Sequence, residues 1–188
     1  MAEMDKSWKL IDSNTVFDTP WYRIRKDRVQ LPSGVIIDDY YVSELPNVAL
    51  VFPITPEMEV VFVRQYRHPV QRVLTELPAG TFDKNKETPQ AAAGRELLEE
   101  TGYTAKNFQP LATIFEYPTK DSHSIDIFLA RDARQITKPK TQRVEDIEIL
   151  KIPLSQTLAM VYGGQIQVSG SITAIFLSVH ALGLNQKP

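Results

Sequence analysis

The segment from Thr88 to Gly102 has clear signals for where a helix begins and ends. Thr88 suits the N-cap, and Pro89 suits the first helical position because its missing N–H would have no partner there anyway. Gly102 can adopt the left-handed conformation that ends many helices. The apolar positions expected to be buried are Ala92, Ala93, Leu97 and Leu98. The segment therefore predicts an amphipathic helix that must pack against another element.

The last turns of this helix carry an unfavourable set of charges. Glu96, Glu99 and Glu100 are spaced to project from roughly one face. Like charges at these spacings repel by about 0.2–0.5 kcal/mol per pair, and carboxylates near a helix C-terminus are disfavoured by about 0.3–1 kcal/mol each. Only Arg95 is a nearby counter-charge. These residues alone favour a solvated face and a metal site equally.

The rest of the chain indicates a sheet-rich domain of the α+β class. Strands come in clusters with a few helices between them, not in regular βαβ alternation, which favours helices packed against a sheet. A hairpin is expected at 22–30 and 35–42, around the turn at 32–34. Further strands are expected at 47–55, 59–67, 74–83 (entering a loop), 111–118, 124–132 and 147–153, and further helices at 154–164 and 171–184.

The composition of the chain argues against several classes of function. The chain has 188 residues, a net charge of −2 and a pI near 5.9, so nucleic-acid binding, which normally needs a basic face, is not expected. It has no cysteine, which excludes disulfide and thiolate chemistry. The start lacks an apolar signal-peptide core, and no run reaches the roughly 18 apolar residues of a membrane span. We therefore expect a cytoplasmic protein that does not bind membranes.

A longer pattern surrounds the helix. Gly80 is followed by six residues, Glu87, seven residues and then Arg-Glu-Leu-Leu-Glu-Glu-Thr-Gly-Tyr, from Arg95 to Tyr103. This pattern resembles the Nudix box, and its eight fixed positions are hard to obtain by chance. It departs from the box twice: the family has five residues between the glycine and the first glutamate, and an aliphatic residue where this chain has Tyr103.

The resemblance implies a Nudix α/β/α sandwich, with a mixed sheet between helices. Residues 44–188 would form the hydrolase domain, and residues 1–43 an N-terminal β-rich arm used for dimerisation. The positions matching the family's metal ligands are the side chains of Glu96, Glu99 and Glu100 and the backbone carbonyl of Ala79, while Glu87, Arg95 and Gly80 match supporting positions. Hard cations bind such oxygens, so Mg²⁺ is the expected cofactor, with Mn²⁺ as an alternative. Loss of Glu100 or Glu96 should be the most damaging.

The context of the box resembles the branch of ADP-ribose pyrophosphatases and nucleotide-sugar hydrolases. The similarity covers roughly residues 45–130, and more weakly to 155, and includes "VVFVRQYRHPV" and "TELPAG". In that branch the arginine matching Arg67 contacts phosphate, and the glutamate matching Glu76 lies at the nucleotide end of the pocket. The alternatives are a surface strand residue for Arg67 and an ion-pair partner for Glu76. Pro118 fits a proline that marks the ADP-ribose group.

The residues after Pro118 depart from that branch. Many members have "SPGFSDE" there, and its last glutamate is the general base, whereas this chain has "YPTKDSH" and places His123 at that position. Histidine can act as a base near neutral pH, although a lone loop histidine is more often simply exposed. Glu145, in a later loop, is the second candidate and is slightly preferred.

The N-terminal hairpin offers aromatic residues for stacking on the base. Relatives dimerise through this region and clamp the nucleobase there, so Trp21 and Tyr22 are candidates, with Arg28 as a phosphate or ribose contact. The alternative is that Trp21 and Tyr22 are core residues, which is the commoner fate of an aromatic pair at the start of a strand.

These observations predict a homodimeric enzyme. It would hydrolyse ADP-ribose or a related nucleoside diphosphate sugar to a nucleoside monophosphate and a sugar phosphate. GDP-mannose remains open as the substrate, and coenzyme A and dinucleoside polyphosphates are less favoured. A non-catalytic domain that senses a nucleotide is a further alternative, but such domains often lose box glutamates, and this chain retains all of them.

Overall fold

A computed structural model of the chain describes residues 6–140 and 146–184. The chain divides into two compact units. The N-terminal unit contains the residues up to Pro46 together with Tyr117–His123, and the main unit contains Asn47–Glu116 together with the residues from Ser124 onward. Within the described residues, no helix is long and apolar enough to cross a membrane.

The N-terminal unit is a three-stranded antiparallel sheet in the order β1-β2-β3. The hairpin expected from the sequence is confirmed, and Gly34 (φ 89°) lies in its turn. The first strand was not predicted, and every one of its ten residues is exposed. The strands are β1 (Lys9–Asp18), β2 (Arg23–Gln30) and β3 (Ile36–Ser43).

The main unit contains two larger sheets and a two-stranded one. A four-stranded sheet has the order β7-β4-β10-β9, with β4 and β10 parallel, and a three-stranded antiparallel sheet has the order β12-β5-β6. The strands are β4 (Asn47–Pro53), β5 (Glu59–Arg67), β6 (Arg72–Glu76), β7 (Ala79–Phe82), β8 (Tyr103–Thr104), β9 (Asn107–Ile114), β10 (Ile125–Arg131), β11 (Arg134–Gln135) and β12 (Glu148–Pro153). The helices are α1 (Pro89–Thr101), α2 (Leu154–Tyr162), α3 (Ser169–Ala181) and a 3-10 turn (His68–Val70).

Strand β4 separates two buried clusters. Successive side chains of a strand point to opposite faces. Ala49 and Val51 therefore lie in a cluster with residues of α1, whereas Leu50 and Phe52 lie in a cluster with residues of α3. The sheet is thus covered by helices on both faces, and the predicted α/β/α sandwich of the α+β class is confirmed.

Helix α1 forms as the sequence predicts, with one difference in its buried face. The Thr88 hydroxyl accepts a hydrogen bond from the Ala91 N–H (3.2 Å), and Gly102 ends the helix with φ 74°. Leu98 was expected to be buried but is only partly so, and Thr101 is fully buried instead. The Thr101 hydroxyl donates a hydrogen bond to the carbonyl of Leu97, so this buried hydroxyl is paired.

The segment 74–83 forms two strands, where the sequence predicted one. Strand β6 pairs with β5 and strand β7 pairs with β4, so the chain passes from one sheet to the other at Leu77 and Pro78. The Val51 N–H donates to the carbonyl of Pro78 at 3.0 Å and holds this crossing. The crossing places the backbone at Ala79 against the acidic face of α1.

Candidate active site

A cavity of about 330 Å³ in the main unit contains the acidic face of α1. It is formed by β5, β7, α1 and the chain on either side of residues 141–145. The lining residues are Gln65, Arg67, Ala79, Gly80, Thr81, Arg95, Glu96, Glu99, Glu100, Lys140 and Ile147. The structure thus brings together the three box glutamates, two of their expected supports, Ala79 and the expected phosphate contact Arg67.

Strand β7 runs directly against the carboxylates of α1. The Glu100 carboxylate accepts a hydrogen bond from the Ala79 N–H at 3.2 Å. At Gly80, a Cβ atom would overlap the Glu96 carboxylate. Glycine therefore leaves the space that the Glu96 carboxylate occupies, because any side chain here would displace that carboxylate. The insertion of one residue between Gly80 and Glu87, relative to the box, leaves this contact in place.

Arg95 is the counter-ion of the acidic cluster. Its guanidinium donates to Glu87 at 2.7 Å, to Glu96 at 2.6 Å and to Glu99 at 3.2 Å, and also to the carbonyl of Thr81 at 3.2 Å. These bonds, first of all the one to Glu87, raise the pKa of Arg95 above its usual value. The repulsion expected among the glutamates is therefore offset within the helix itself.

The two ends of this ion-pair network differ in their electrostatics. The hydrogen bond from Arg95 lowers the pKa of Glu87, which lies toward solvent. Burial raises the pKa of Glu96, and the hydrogen bond and charge of Arg95 offset this only in part. The Glu96 side chain is 14% exposed. Glu96 is therefore a poorly solvated anion whose charge a further cation would stabilise.

Arg67 and Glu76 form a bidentate pair. The Arg67 Nε donates to one carboxylate oxygen of Glu76 at 2.9 Å, and its Nη2 donates to the other at 2.7 Å. Glu76 is 7% exposed, whereas Arg67 lines the cavity. A two-point contact fixes the plane of a guanidinium. Glu76 is therefore an ion-pair partner, which was the alternative given for it from the sequence. The residue that it pairs with is Arg67, the expected phosphate contact.

Four residues of the cavity lining were not predicted from the sequence: Gln65, Thr81, Lys140 and Ile147. Two of them show why. Gln65 precedes Arg67 by two residues and so lies on the same face of β5, a relation that the period of two along a strand could have shown. Lys140 is held by a hydrogen bond from its backbone N–H to the carbonyl of Glu99 at 2.8 Å. No local signal indicates this contact, because the two residues are far apart in the sequence.

Two models of known protein families match the chain. The family model of the NUDIX domain matches residues 44–163. The chain belongs to the Nudix family. A second family model, the nucleoside diphosphate sugar hydrolase N-terminal domain, matches residues 8–43.

Individual Nudix relatives cover nearly the whole chain. The ADP-ribose pyrophosphatase of Mycobacterium tuberculosis is 33% identical over 183 residues, covering 97% of this chain and 86% of the relative. The ADP-ribose pyrophosphatase of Bacillus subtilis is 29% identical, covering 89% and 90%. The crystal structure of an ADP compounds hydrolase matches with a TM-score of 0.82 at 19% identity, over 95% of this chain and 97% of that chain, and so has the same fold.

Nudix hydrolases generally use divalent metal ions, and the residues present fit one. Among the described residues, no three acidic or histidine side chains converge as ligands, because Arg95 lies between Glu87, Glu96 and Glu99. The donors nevertheless suit a hard cation, since carboxylates and backbone oxygens are its preferred ligands. The poorly solvated charge of Glu96 adds to this fit.

The aromatic candidates of the N-terminal unit are surface residues. Trp21 is 90% exposed and Tyr22 is 41% exposed, in the loop between β1 and β2. The expectation that this pair is core is therefore wrong, because the loop lies beyond the ends of the strands. Tyr22 is held by a hydrogen bond between its hydroxyl and that of Ser43 at 2.8 Å. Arg28 pairs with Asp38 at 2.6 Å, and both are exposed.

The two candidates for the general base differ in what the structure says of them. For His123, the alternative to a base was an exposed loop residue, but the residue is only 7% exposed. It is the last residue of the Tyr117–His123 segment of the N-terminal unit, and its Nδ1 has no hydrogen-bond partner among the described residues. Glu145 lies outside the described residues. The general base stays a prediction.

Proposed function

We propose that this Nudix protein hydrolyses the pyrophosphate bond of ADP-ribose or a related nucleoside diphosphate sugar. The products would be a nucleoside monophosphate and a sugar phosphate. One observation carries the proposal: a single cavity joins the acidic face of α1 to the guanidinium of Arg67. Such a site can hold a cation and the diphosphate charge at the same time.

The proposal gives a separate role to each candidate residue. Glu96, Glu99, Glu100 and the Ala79 carbonyl would hold Mg²⁺, with Mn²⁺ as the alternative. When bound, the ion offsets the diphosphate charge and makes phosphorus more open to attack by water. Arg67 binds a phosphate oxygen, and Glu76 keeps its guanidinium in a fixed plane. Glu145 or His123 would take the proton of the attacking water.

The relatives support the substrate class. Both ADP-ribose pyrophosphatases match almost the full length of the chain, and the N-terminal family model belongs to nucleoside diphosphate sugar hydrolases. These findings favour a nucleotide sugar over coenzyme A or a dinucleoside polyphosphate. The retained glutamates and their close fit to β7 favour turnover over simple nucleotide sensing.

We also propose a cytoplasmic homodimer formed through residues 1–43, with residues 44–188 as the hydrolase domain. Strand β1 exposes large apolar side chains, which a second copy of the chain would cover. These side chains include Leu10, Val16 and Phe17, each close to half exposed or more. Trp21 and Tyr22 would stack on the nucleobase, with Arg28 beside them.

The test is a substrate panel with Mg²⁺, read by release of nucleoside monophosphate. It contains ADP-ribose, GDP-mannose, UDP-glucose, coenzyme A and diadenosine polyphosphates. Wild type is compared with Glu100→Gln and with a control, Glu148→Gln, whose side chain is 61% exposed on β12. We expect turnover of a nucleotide sugar by wild type and the control, and none by Glu100→Gln.

Two results would contradict the proposal. Near-normal turnover by a folded Glu100→Gln protein would remove the metal-site assignment. Nucleotide binding by wild type without turnover of any compound would favour a sensor. Preference for GDP-mannose would keep the reaction and change the sugar and base.

A further inference from the structure

Gln65 has a buried polar atom without a partner in the wall of the candidate active site. The residue is 8% exposed, and its Oε1 has no hydrogen-bond partner within the part of the chain that the structure describes. Most buried polar side-chain atoms in proteins are paired. An unpaired amide oxygen on a residue that lines the same cavity as Arg67 and Glu96 therefore needs an explanation.

Packing does not explain the glutamine. Val61, Val63, Gln65 and Arg67 alternate along one face of β5, and the first two are buried and apolar. A leucine or methionine at position 65 would continue that apolar face and leave no polar atom unpaired. The face instead becomes polar where it reaches the cavity. This change indicates that the amide is present for a ligand.

The chemistry of the amide limits what that ligand group is. The oxygen of the amide accepts hydrogen bonds and its nitrogen donates them, and the broad terminal torsion of glutamine lets either end turn to the cavity. Phosphate oxygens only accept, so they cannot pair with the amide oxygen that lacks a partner. A hydroxyl both donates and accepts, so it satisfies the amide in either orientation.

We propose that Gln65 is a substrate-contacting residue whose amide hydrogen-bonds a sugar hydroxyl of the nucleotide sugar. This inference rests on the proposed function, because it assumes a sugar on the diphosphate. Gln65 then contributes to the choice between sugar nucleotides and compounds without that hydroxyl. The hydroxyl belongs either to the terminal sugar or to the nucleoside ribose.

The test combines binding with the stability of the ligand-free protein. Gln65→Met keeps the length of the side chain and removes its polar end; Gln109→Met, at an exposed position of β9, is the matched control. Affinities for the α,β-methylene analogues of ADP-ribose and of ADP are measured by calorimetry with Mg²⁺. We expect Gln65→Met to weaken the ADP-ribose analogue about tenfold, without lowering the Tm of the ligand-free protein. The control should change neither.

The ADP analogue distinguishes the two hydroxyls. Unchanged affinity for it assigns the contact to the terminal sugar. An equal loss with an undiminished Tm assigns it to the nucleoside ribose if Gln65→Met does not weaken the 2′,3′-dideoxy form of the ADP analogue; a loss there as well overturns the inference, because the contact would be with the diphosphate. Unchanged affinity for both analogues overturns the inference, even if kcat falls, because the amide would then contact water and not a sugar hydroxyl. A lowered Tm of Gln65→Met with equal losses of affinity for the two analogues also overturns it, since Gln65 would then stabilise the fold and not contact the ligand. Wild type that hydrolyses no nucleotide sugar refutes the proposed function itself.

Discussion

Replacing Arg95 with methionine tests whether its guanidinium serves as the counter-ion of the box carboxylates when no metal is bound. Arg95 donates to Glu87, Glu96 and Glu99 at distances of 2.6 to 3.3 Å. Methionine keeps most of the length of the side chain and removes both its charge and its donors. The carboxylates then repel one another without compensation.

The size of the effect follows from the exposure of the partners. Removing one partner of a fully buried ion pair costs about 3–5 kcal/mol, and an exposed pair contributes about 0–1 kcal/mol. The Glu96 side chain is 14% exposed and that of Arg95 is 36% exposed, so we expect an intermediate loss of about 2 kcal/mol. For a chain of this length, that lowers the Tm by about 4–8 °C.

Thermal unfolding followed by circular dichroism measures this loss in EDTA and in saturating Mg²⁺. If Glu96 and Glu99 hold a divalent cation as proposed, the cation supplies positive charge to them and should restore most of the stability that Arg95→Met loses. We therefore expect Mg²⁺ to raise the Tm of the variant more than that of wild type. The control is Arg64→Met, because Arg64 pairs with Glu148 at 3.7 Å with both side chains exposed.

Arg95 is not the counter-ion of the box carboxylates if Arg95→Met loses the same stability with and without Mg²⁺. That result would mean that Arg95 acts through the packing of its side chain or its bond to the carbonyl of Thr81, and not as a counter-ion. An unchanged Tm in EDTA would equally refute the role of counter-ion. Arg64→Met should change stability by less than about 1 kcal/mol in both conditions.

Two further predictions concern the walls of the cavity. Gly80→Ala should keep the fold but lower turnover about 100-fold, because the new methyl group displaces the flexible end of Glu96. Gly94→Ala, where a Cβ meets only ordinary contacts, should raise the Tm and keep activity; equal activity in the two variants would contradict the steric argument. Glu76→Gln should raise KM about tenfold and change kcat less, since it loosens Arg67. Steady-state kinetics checks this, and an unchanged KM would contradict it.

Features with local causes were predicted well from the sequence. Helix α1 begins at Pro89 and ends at Gly102 because its cap and its stop are encoded in neighbouring residues. The hairpin of β2 and β3 follows from a turn between two alternating segments. The acidic face of α1 could be predicted from the helical period alone. For these features, tertiary contacts agree with local preference.

Features that depend on distant contacts were not predicted. Strand β1 is a separate case, because its residues do not alternate between apolar and polar and so gave no strand signal. The division of 74–83 into β6 and β7 depends on pairing with two different sheets. The burial of His123 and the place of Lys140 beside Glu99 likewise depend on chain segments far apart in the sequence. No window of neighbouring residues contains these contacts.

The unfavourable charges of α1 and the special residues around them have one explanation. A helix that ends in carboxylates is poorly suited to stand alone, yet Arg95 neutralises much of that charge from within the same helix. Gly80 lets β7 approach closely enough for the Ala79 N–H to bind Glu100. Glu96 nevertheless stays buried enough that its pKa is raised. We propose that a cation site explains this arrangement, because hard divalent cations bind carboxylate oxygens and would supply the positive charge that Arg95 supplies only in part.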